Sequence, residues 1–281
     1  MRELIIESYG KVNLALDVLY KREDGYHEIN SIMQQISLKD ILVFSDKKEG
    51  IIIESNDKDL PLDSSNLVHR AWAKLKDITG INRGIHIKID KQIPISAGLA
   101  GGSANGAATL KALNTLWDLN LSTEELMSIG ESLGADVPFC ILGGTASAKG
   151  IGEKLTPLKP FKDKYILLGN PGIGISTAYA YSKLDTSGER IDIDNLISCM
   201  NNEDLPCVAQ RMKNIMEPYI IKENPIIGEI KRSMIKHGAL GALMSGSGPT
   251  VFGLFDDKEK MMFAHRKLSE RINKVYNCTT I

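Results

Sequence analysis

Apolar and polar positions alternate along the first ninety residues with the two-residue rhythm of half-buried strands. Leu4–Ser8 and Val12–Tyr20 are apolar and partly alternating, and they meet at Gly10. Ile41–Ser45 and Ile51–Glu54 flank the polar turn Asp46–Gly50, and Gly84–Asp90 alternates again through Ile85, Ile87 and Ile89. In between, the rhythm turns helical. Leu67, Ala71, Leu75 and Ile78 share one face after the capping stretch Ser64-Ser65-Asn66, and Gly80 ends the run. A second, Ala-rich helix is predicted from about Ser103 to Trp117, preceded by the glycine-rich loop Pro94–Gly102. Ser122 with Glu125 forms a capping box for a helix reaching Leu133, and Gly143–Lys149 reads as a strand.

The second half mixes the two rhythms without strict alternation of strand and helix. Strands are expected at Tyr165–Gly169, Leu240–Met244 and Thr250–Phe255, the last two around the turn Ser245–Pro249. Helices are expected at Ser176–Leu184, Asn195–Met200, Asn224–His237 and Glu259–Ile272. The pattern argues for an α+β fold rather than a doubly wound sheet. A linker at Pro157–Pro160 divides the chain into two lobes, 1–156 and 157–281.

Composition adds exclusions. The 281 residues leave room for a substantial core, and charged residues at 25% against hydrophobic ones at 43% are ordinary for a globular chain. A net charge of -1 argues against a nucleic-acid partner. No apolar run approaches the roughly 20 residues of a membrane helix, and the N-terminal MRELIIESYGK lacks the pattern of a secretory signal. A cytoplasmic location is therefore expected. Cys140, Cys199, Cys207 and Cys278 form no CxxC pair and no zinc spacing, and are read as reduced thiols.

The most informative stretch is Pro94-Ile95-Ser96-Ala97-Gly98-Leu99-Ala100-Gly101-Gly102-Ser103-Ala104. Its glycines remove side chains that would hold a backbone away from a ligand. It feeds a helix whose first amides have no partner inside the helix and whose dipole adds about half a positive charge. A phosphate chain suits that end, and the Ser103 hydroxyl can meet a phosphate oxygen or a magnesium ion. The loop is neither a Walker A nor a dinucleotide fingerprint, and no protein-kinase HRD or DFG is present. A plain strand-to-helix connection is the alternative.

Three other stretches keep this loop company: Lys11-Val12-Asn13, Gly134-Ala-Asp136-Val-Pro-Phe139 and Ser245-Gly-Ser-Gly-Pro-Thr250. Together they resemble the GHMP kinase superfamily, and the Pro94–Ala104 loop looks like its phosphate-binding motif. The likeness runs from Lys11 to Phe255. Asp24-Gly-Tyr-His27 and Leu133-Gly-Ala-Asp-Val-Pro138 are closest to the branch whose acceptor carries a cytidine diphosphate group. Ser96-Ala97 and Ala104 depart from the family's usual glycines and serine, which removes a hydroxyl at 104.

The resemblance implies a two-lobed fold with the active site in the cleft between lobes, ATP as co-substrate, Mg²⁺, and transfer of a phosphoryl group to an alcohol in isoprenoid precursor synthesis. It implies no dedicated protein ligand for the metal. Asp136 is then the general base and Lys11 its partner, an ammonium that favours the carboxylate and steadies charge on the moving phosphoryl. The alternative for Asp136 is a turn residue before Pro138, and for Lys11 a solvated surface lysine. Tyr26 would stack on the pyrimidine and His27 read its edge, with Tyr181 a second aromatic plate and Thr177 nearby. Asn13 would orient the acceptor's hydroxyls or pyrophosphate. The Ser245–Thr250 motif would support the phosphate loop, its alternative being a plain hairpin turn. A homoserine or mevalonate-type kinase is the competing enzyme, and a nucleotide-binding module without chemistry the competing class. A dinucleotide dehydrogenase fails on the loop spacing.

Overall fold

The computed structural model describes residues 3–184, 188 and 190–281. Of the stretches read above, Met1 and Arg2 of the N-terminal segment lie outside the described residues. The chain divides into two compact units, neither of them one continuous stretch. The first comprises Met1–Gly10, Lys39–Ile95 and Ala100–Gly143, and the second Lys11–Leu38, Ser96–Leu99 and Gly144–Ile281. Two long strands pass from one unit to the other. The expected boundary at 156/157 falls inside a strand of the second unit, since a linear pattern cannot reveal a strand shared by both.

The first eight elements are β1 (Glu3–Lys21), β2 (His27–Lys47), β3 (Ile51–Ser55), α1 (Leu67–Thr79), β4 (Gly84–Asp90), α2 (Gly101–Leu116), α3 (Thr123–Glu131) and α4 (Val137–Leu142). β1 runs unbroken through Gly10, where the sequence suggested two strands. In the first unit β2 pairs antiparallel with β4, Phe44 opposite Ile87, and β3 pairs parallel with β4, Ile53 opposite Ile87. Leu42, Phe44, Ile85 and Ile87 of this sheet meet Val68, Ala71, Leu75, Leu110 and Leu113 in one core; of the helix face expected for α1, Ala71 and Leu75 are buried, while Ile78 is exposed. Removing one such side chain from water stabilises the fold by about 1.5–3 kcal/mol. Asn66 caps α1 by accepting from the Val68 N–H, and Gly80 ends it at φ 70°. Ser122 and Glu125 form the predicted capping box of α3.

The second unit adds β5 (Thr145–Gly150), β6 (Lys154–Pro157), β7 (Tyr165–Asn170), α5 (Thr177–Ser182), α6 (Ile193–Asn201), α7 (Leu205–Arg211), β8 (Lys213–Asn214), α8 (Glu217–Glu223), α9 (Pro225–Lys236), β9 (Gly241–Met244), β10 (Val251–Phe255), α10 (Lys258–Ser269) and β11 (Lys274–Thr279). A four-stranded antiparallel sheet of order β11-β7-β10-β9 is covered by α9 and α10. A Cβ on Gly169 would stand 2.8 Å from Leu268 and 2.9 Å from Ile230, so both helices lie close on β7 at that point. Elsewhere in this unit β2 pairs antiparallel with β5, and the two-residue β8 pairs parallel with β1 at Ala15 and Leu16.

The cysteine expectation needs correction. Cys140 and Cys278 are buried and in no disulfide, but Cys199 and Cys207 pair as a disulfide with their Cα atoms 5.7 Å apart. The three-residue turn Asn202–Asp204 folds α7 back beside α6, which brings cysteines eight positions apart within bonding reach. A search for CxxC or zinc spacing does not detect that arrangement.

Candidate active site

The glycine-rich loop passes through both units. Its backbone has positive φ at alternate positions, Ser96 (51°), Gly98 (74°) and Ala100 (56°). Two of these are not glycine, and such residues occupy the left-handed region only where the surroundings hold them there. Turning successive N–H groups this way is how backbones make anion-binding concavities. Ala100 is then the N-cap of α2 and offers no side-chain acceptor to its first turn. The Ala104 N–H is the first to bond within the helix, to the Ala100 carbonyl at 2.8 Å, which leaves the Gly101, Gly102 and Ser103 amides for a ligand.

The glycines do two different jobs. A Cβ on Gly98 would stand 2.2 Å from the Ser245 carbonyl oxygen, and one on Gly101 2.9 Å from Ile93. Those two are required by close packing within the protein rather than by approach of a ligand, as the sequence suggested. Only at Gly102 is the space open, its nearest neighbour Leu67 being 4.0 Å away.

In the first unit, the entry to the loop rests on a buried ion pair. Asp40, fully buried in β2, accepts from the Gln92 and Ile93 N–H groups at 2.8 Å each and from Lys91 Nζ at 2.8 Å. Lys91 Nζ also donates to the Ile93 carbonyl. Burial lowers the Lys91 pKa, and Asp40 opposes that shift. Pro94 and Ala104 are buried beyond this pair, while Ile95 and Ser103 are half-buried. On α2, Asn105 accepts from Ser8 Oγ at 2.8 Å.

Asp136 is also in the first unit, half-buried at the N-terminus of α4. Its carbonyl accepts from the Cys140 N–H at 3.1 Å, but its carboxylate makes no capping hydrogen bond. Asp136 thus holds the N-cap position of α4, before Pro138, without a capping bond from its side chain. Val137 and Pro138 follow it into the core.

The second unit contains the remaining candidates. Lys11 is 4% exposed, which excludes a solvated surface lysine. Its N–H bonds the Leu99 carbonyl at 3.0 Å, so β1 is fixed directly to the loop. Its Nζ donates to Asn13 Oδ1 at 2.7 Å. Asn13 Nδ2 donates to Ser31 Oγ at 2.9 Å, and Ser31 Oγ to the Ala15 carbonyl at 2.6 Å. Asn13, expected to orient a substrate, is thus committed first to aiming Lys11. Ala97 and Leu99 are buried, and Ser245 Oγ donates to the Gly98 carbonyl at 2.8 Å. The late glycine motif therefore supports the loop and is more than a hairpin turn.

Tyr26 and His27 close the turn between β1 and β2. The Tyr26 N–H bonds Asp24 Oδ1 at 3.0 Å and its carbonyl takes the Arg22 N–H at 2.7 Å, with Gly25 at φ 87°. Tyr26 is 60% exposed. His27 and Tyr181 form a stacked aromatic pair, centroids 4.8 Å apart and planes inclined by 23°. Burial, and secondarily the Lys21 charge, lower the His27 pKa and so favour the neutral ring. Thr177, which opens α5, lies 3.3 Å from Ser247 Oγ.

Among the described residues no cluster of three or more His, Cys, Asp or Glu could hold a metal ion, and no helix is long and apolar enough to cross a membrane. Sequence reading missed the supports Asp40, Lys91 and Ser31. Asp40 carried a faint signal as an acid beside an apolar strand, and the other two carried none.

Comparison with known proteins follows the same lines. The family description "GHMP kinases N terminal domain" matches residues 66–144 and "GHMP kinases C terminal" matches 195–274. A curated protein of Alkaliphilus oremlandii, 4-diphosphocytidyl-2-C-methyl-D-erythritol kinase, is 48% identical over 273 residues, covering 96% of this chain and 94% of its own. The protein of that name from Clostridium beijerinckii is 45% identical over 278 residues, covering 98% and 99%. A crystal structure of 4-(cytidine 5'-diphospho)-2C-methyl-D-erythritol kinase superposes with a TM-score of 0.85 at 30% identity, covering 99% of both chains. A homoserine kinase from Cytophaga hutchinsonii, at 21% identity and a TM-score of 0.76, shares the fold.

Proposed function

The chain belongs to the GHMP kinase family, and from that premise we propose that it transfers the γ-phosphoryl group of ATP to the C2 hydroxyl of 4-diphosphocytidyl-2-C-methyl-D-erythritol, a step in non-mevalonate isoprenoid precursor synthesis. The observation that carries the kinase reading is the bond from the buried Lys11 to Leu99 of the glycine-rich loop, with Asn13 aiming its ammonium. The cytidine acceptor is supported by the relatives' names and by Tyr26 and His27 at the turn after β1.

In this reading Asp136 takes the hydroxyl proton, and Lys11 neutralises charge on the moving phosphoryl group. Phosphoryl transfer asks little covalent work of a protein, so positioning and electrostatics carry the rate. The free amides of Gly101, Gly102 and Ser103 receive phosphate oxygens. The neutral form of His27, which burial favours, can both donate to and accept from a base edge, while Tyr26 and Tyr181 offer aromatic faces. Thr177 and Asn13 complete the acceptor side.

Mg²⁺ suits this donor set. It is held through one or two carboxylates or hydroxyls plus substrate phosphates rather than by an all-protein cage. Ser103 and Asp136 are the hard oxygen donors available to it, and when bound the ion neutralises triphosphate charge. ATP as co-substrate is consistent with a reaction in the cytoplasm. The acceptor is a small molecule, and nucleic acid and membrane have no part in the proposal.

The test is ADP release by the purified chain with ATP and a panel of acceptors. Turnover is expected with the cytidine-linked methylerythritol and none with homoserine or mevalonate. The Asp136→Asn protein should fold and lose about 10²–10⁴ in kcat. Turnover with homoserine or mevalonate alone overturns the substrate, and near-normal kcat in Asp136→Asn overturns the base.

A further inference from the structure

Asn214 is 2% exposed and lies in β8, outside every motif read from the sequence. Its side chain does three things at once. Nδ2 donates to the Met244 carbonyl at 2.8 Å and to the Gly246 carbonyl at 2.8 Å, and Oδ1 accepts the Met216 N–H at 2.9 Å. One amide thus spans the bend on either side of Ser245. Its backbone is fixed as well: Asn214 is in register with Leu16 of β1, and the Ile215 N–H bonds the Leu16 carbonyl at 3.0 Å. Glu217, 7% exposed and paired with Lys231, reinforces the bend by accepting the Met244 N–H at 3.0 Å.

What the bend carries is the apex of the phosphate loop. Ser245 Oγ donates to the Gly98 carbonyl at 2.8 Å, and Gly98 lies so near that no Cβ would fit. Gly246 sits against the same carbonyl and against Asn13: a Cβ there would be 3.2 Å from Gly98 O and 3.5 Å from Asn13 Oδ1. Asn13 in turn aims Lys11. β1 therefore reaches the loop by two routes, directly through Lys11 and Leu99, and indirectly through Asn214, Ser245 and Gly98.

We propose that Asn214 is a positioning residue for phosphoryl transfer: its amide sets the Ser245–Gly246 bend and through it the placement of Gly98 and of the Asn13–Lys11 pair. The proposal rests on reading Pro94–Ala104 as the phosphate-binding loop. A displacement of about 1 Å in such a support can cost a hundredfold in rate without touching the chemistry itself.

The test uses Asn214→Asp in the full chain. This change keeps the shape and the Oδ1 acceptor but turns an oxygen toward two carbonyl oxygens. Melting curves establish folding, and ADP release gives kcat and both KM values at a temperature where the protein is folded. The expected result is a folded protein with kcat/KM for ATP lowered about 10–100-fold and KM for the acceptor changed less than about threefold. A residue that only stabilises the fold would lower the melting temperature and leave these constants alone. Constants within about twofold of wild type overturn the proposal. If Asn214→Asp does not fold, Ser245→Ala decides, since it cuts the same route at its last hydrogen bond. An about tenfold loss in kcat/KM for ATP supports the route, and wild-type constants overturn it. The rise in melting temperature on adding ATP separates this from the reaction assigned above. A wild-type chain that shows the rise but turns over no acceptor sinks the assigned reaction, while Asn214 is still judged by whether its variant loses the rise.

Discussion

The glycine-rich loop is held in two places by opposite kinds of chemistry. At its entry, in the first unit, a fully buried Asp40 gathers two backbone N–H groups and the Lys91 ammonium. At its apex, in the second unit, the grip is neutral: Ser245 Oγ on the Gly98 carbonyl, the Lys11 N–H on the Leu99 carbonyl, and the Asn214 amide behind the bend. Taking charge out of water is costly unless it is partnered, so the entry depends for its stability on the bonds around Asp40. Each neutral bond is worth only about 0.5–1.5 kcal/mol net, but its direction sets where the backbone lies. The entry should therefore govern whether the first unit folds, and the apex how well a folded chain works.

The sharpest break of this comparison is at Asp40. Asp40→Ala strands a buried ammonium and two amides, and should destabilise by about 3–5 kcal/mol in urea unfolding. Lys91→Met removes the cation but leaves Asp40 with both amide donors, so its cost should be smaller, about 1–3 kcal/mol. Equal losses would mean that the amides do not steady the carboxylate and that the entry is a simple ion pair. A loss of ATP affinity in folded Lys91→Met, with stability unchanged, would reverse the division between entry and apex.

The same division explains what the sequence reveals and what it hides. The Ala71–Leu75 part of the α1 face and the capping box of Ser122 and Glu125 were legible because they are local: their partners lie three or four residues away, whereas Ile78, read onto the same face, is exposed. The loop was legible because its residue types are unusual in series. β1 as one strand through Gly10 was not, since residues 10–18 are buried throughout and lose the alternating rhythm. β8, only two residues long, has no pattern to read. Asn214 looks like a polar turn residue until the Met244 and Gly246 carbonyls, thirty positions on, are seen against it. The His27–Tyr181 stack likewise joins residues more than 150 positions apart.

A smaller but more directed break is Gly98→Ala. The residue has φ 74°, which costs an L-residue about 1–2 kcal/mol, and its new methyl would collide with the Ser245 carbonyl. The loop apex must shift to admit it. The expected outcome is a folded protein whose kcat/KM for ATP falls about a hundredfold, read by the same ADP assay. If stability collapses instead, the apex is a structural support like the entry, and the contrast between them fails.

The smallest expected effect is the control that tells local stability from loop geometry. Ser122 caps α3 by accepting the Glu125 N–H, and Glu125 returns the bond to the Ser122 N–H. Both groups are solvent-exposed and belong to the first unit, as does the entry to the loop. Ser122→Ala removes one acceptor for an N-terminal amide and should cost about 1 kcal/mol, seen as a small fall in the urea midpoint at constant slope. α3 packs on α4, whose N-terminus is Asp136, so a loosened cap has a path to the proposed base but none through the hydrogen bonds that hold Gly98. The variant should therefore keep the KM for ATP of the wild type. A raised KM for ATP in Ser122→Ala would show that general loosening of the first unit suffices to disturb nucleotide binding. The apex bonds would then have no special claim on the geometry of the loop.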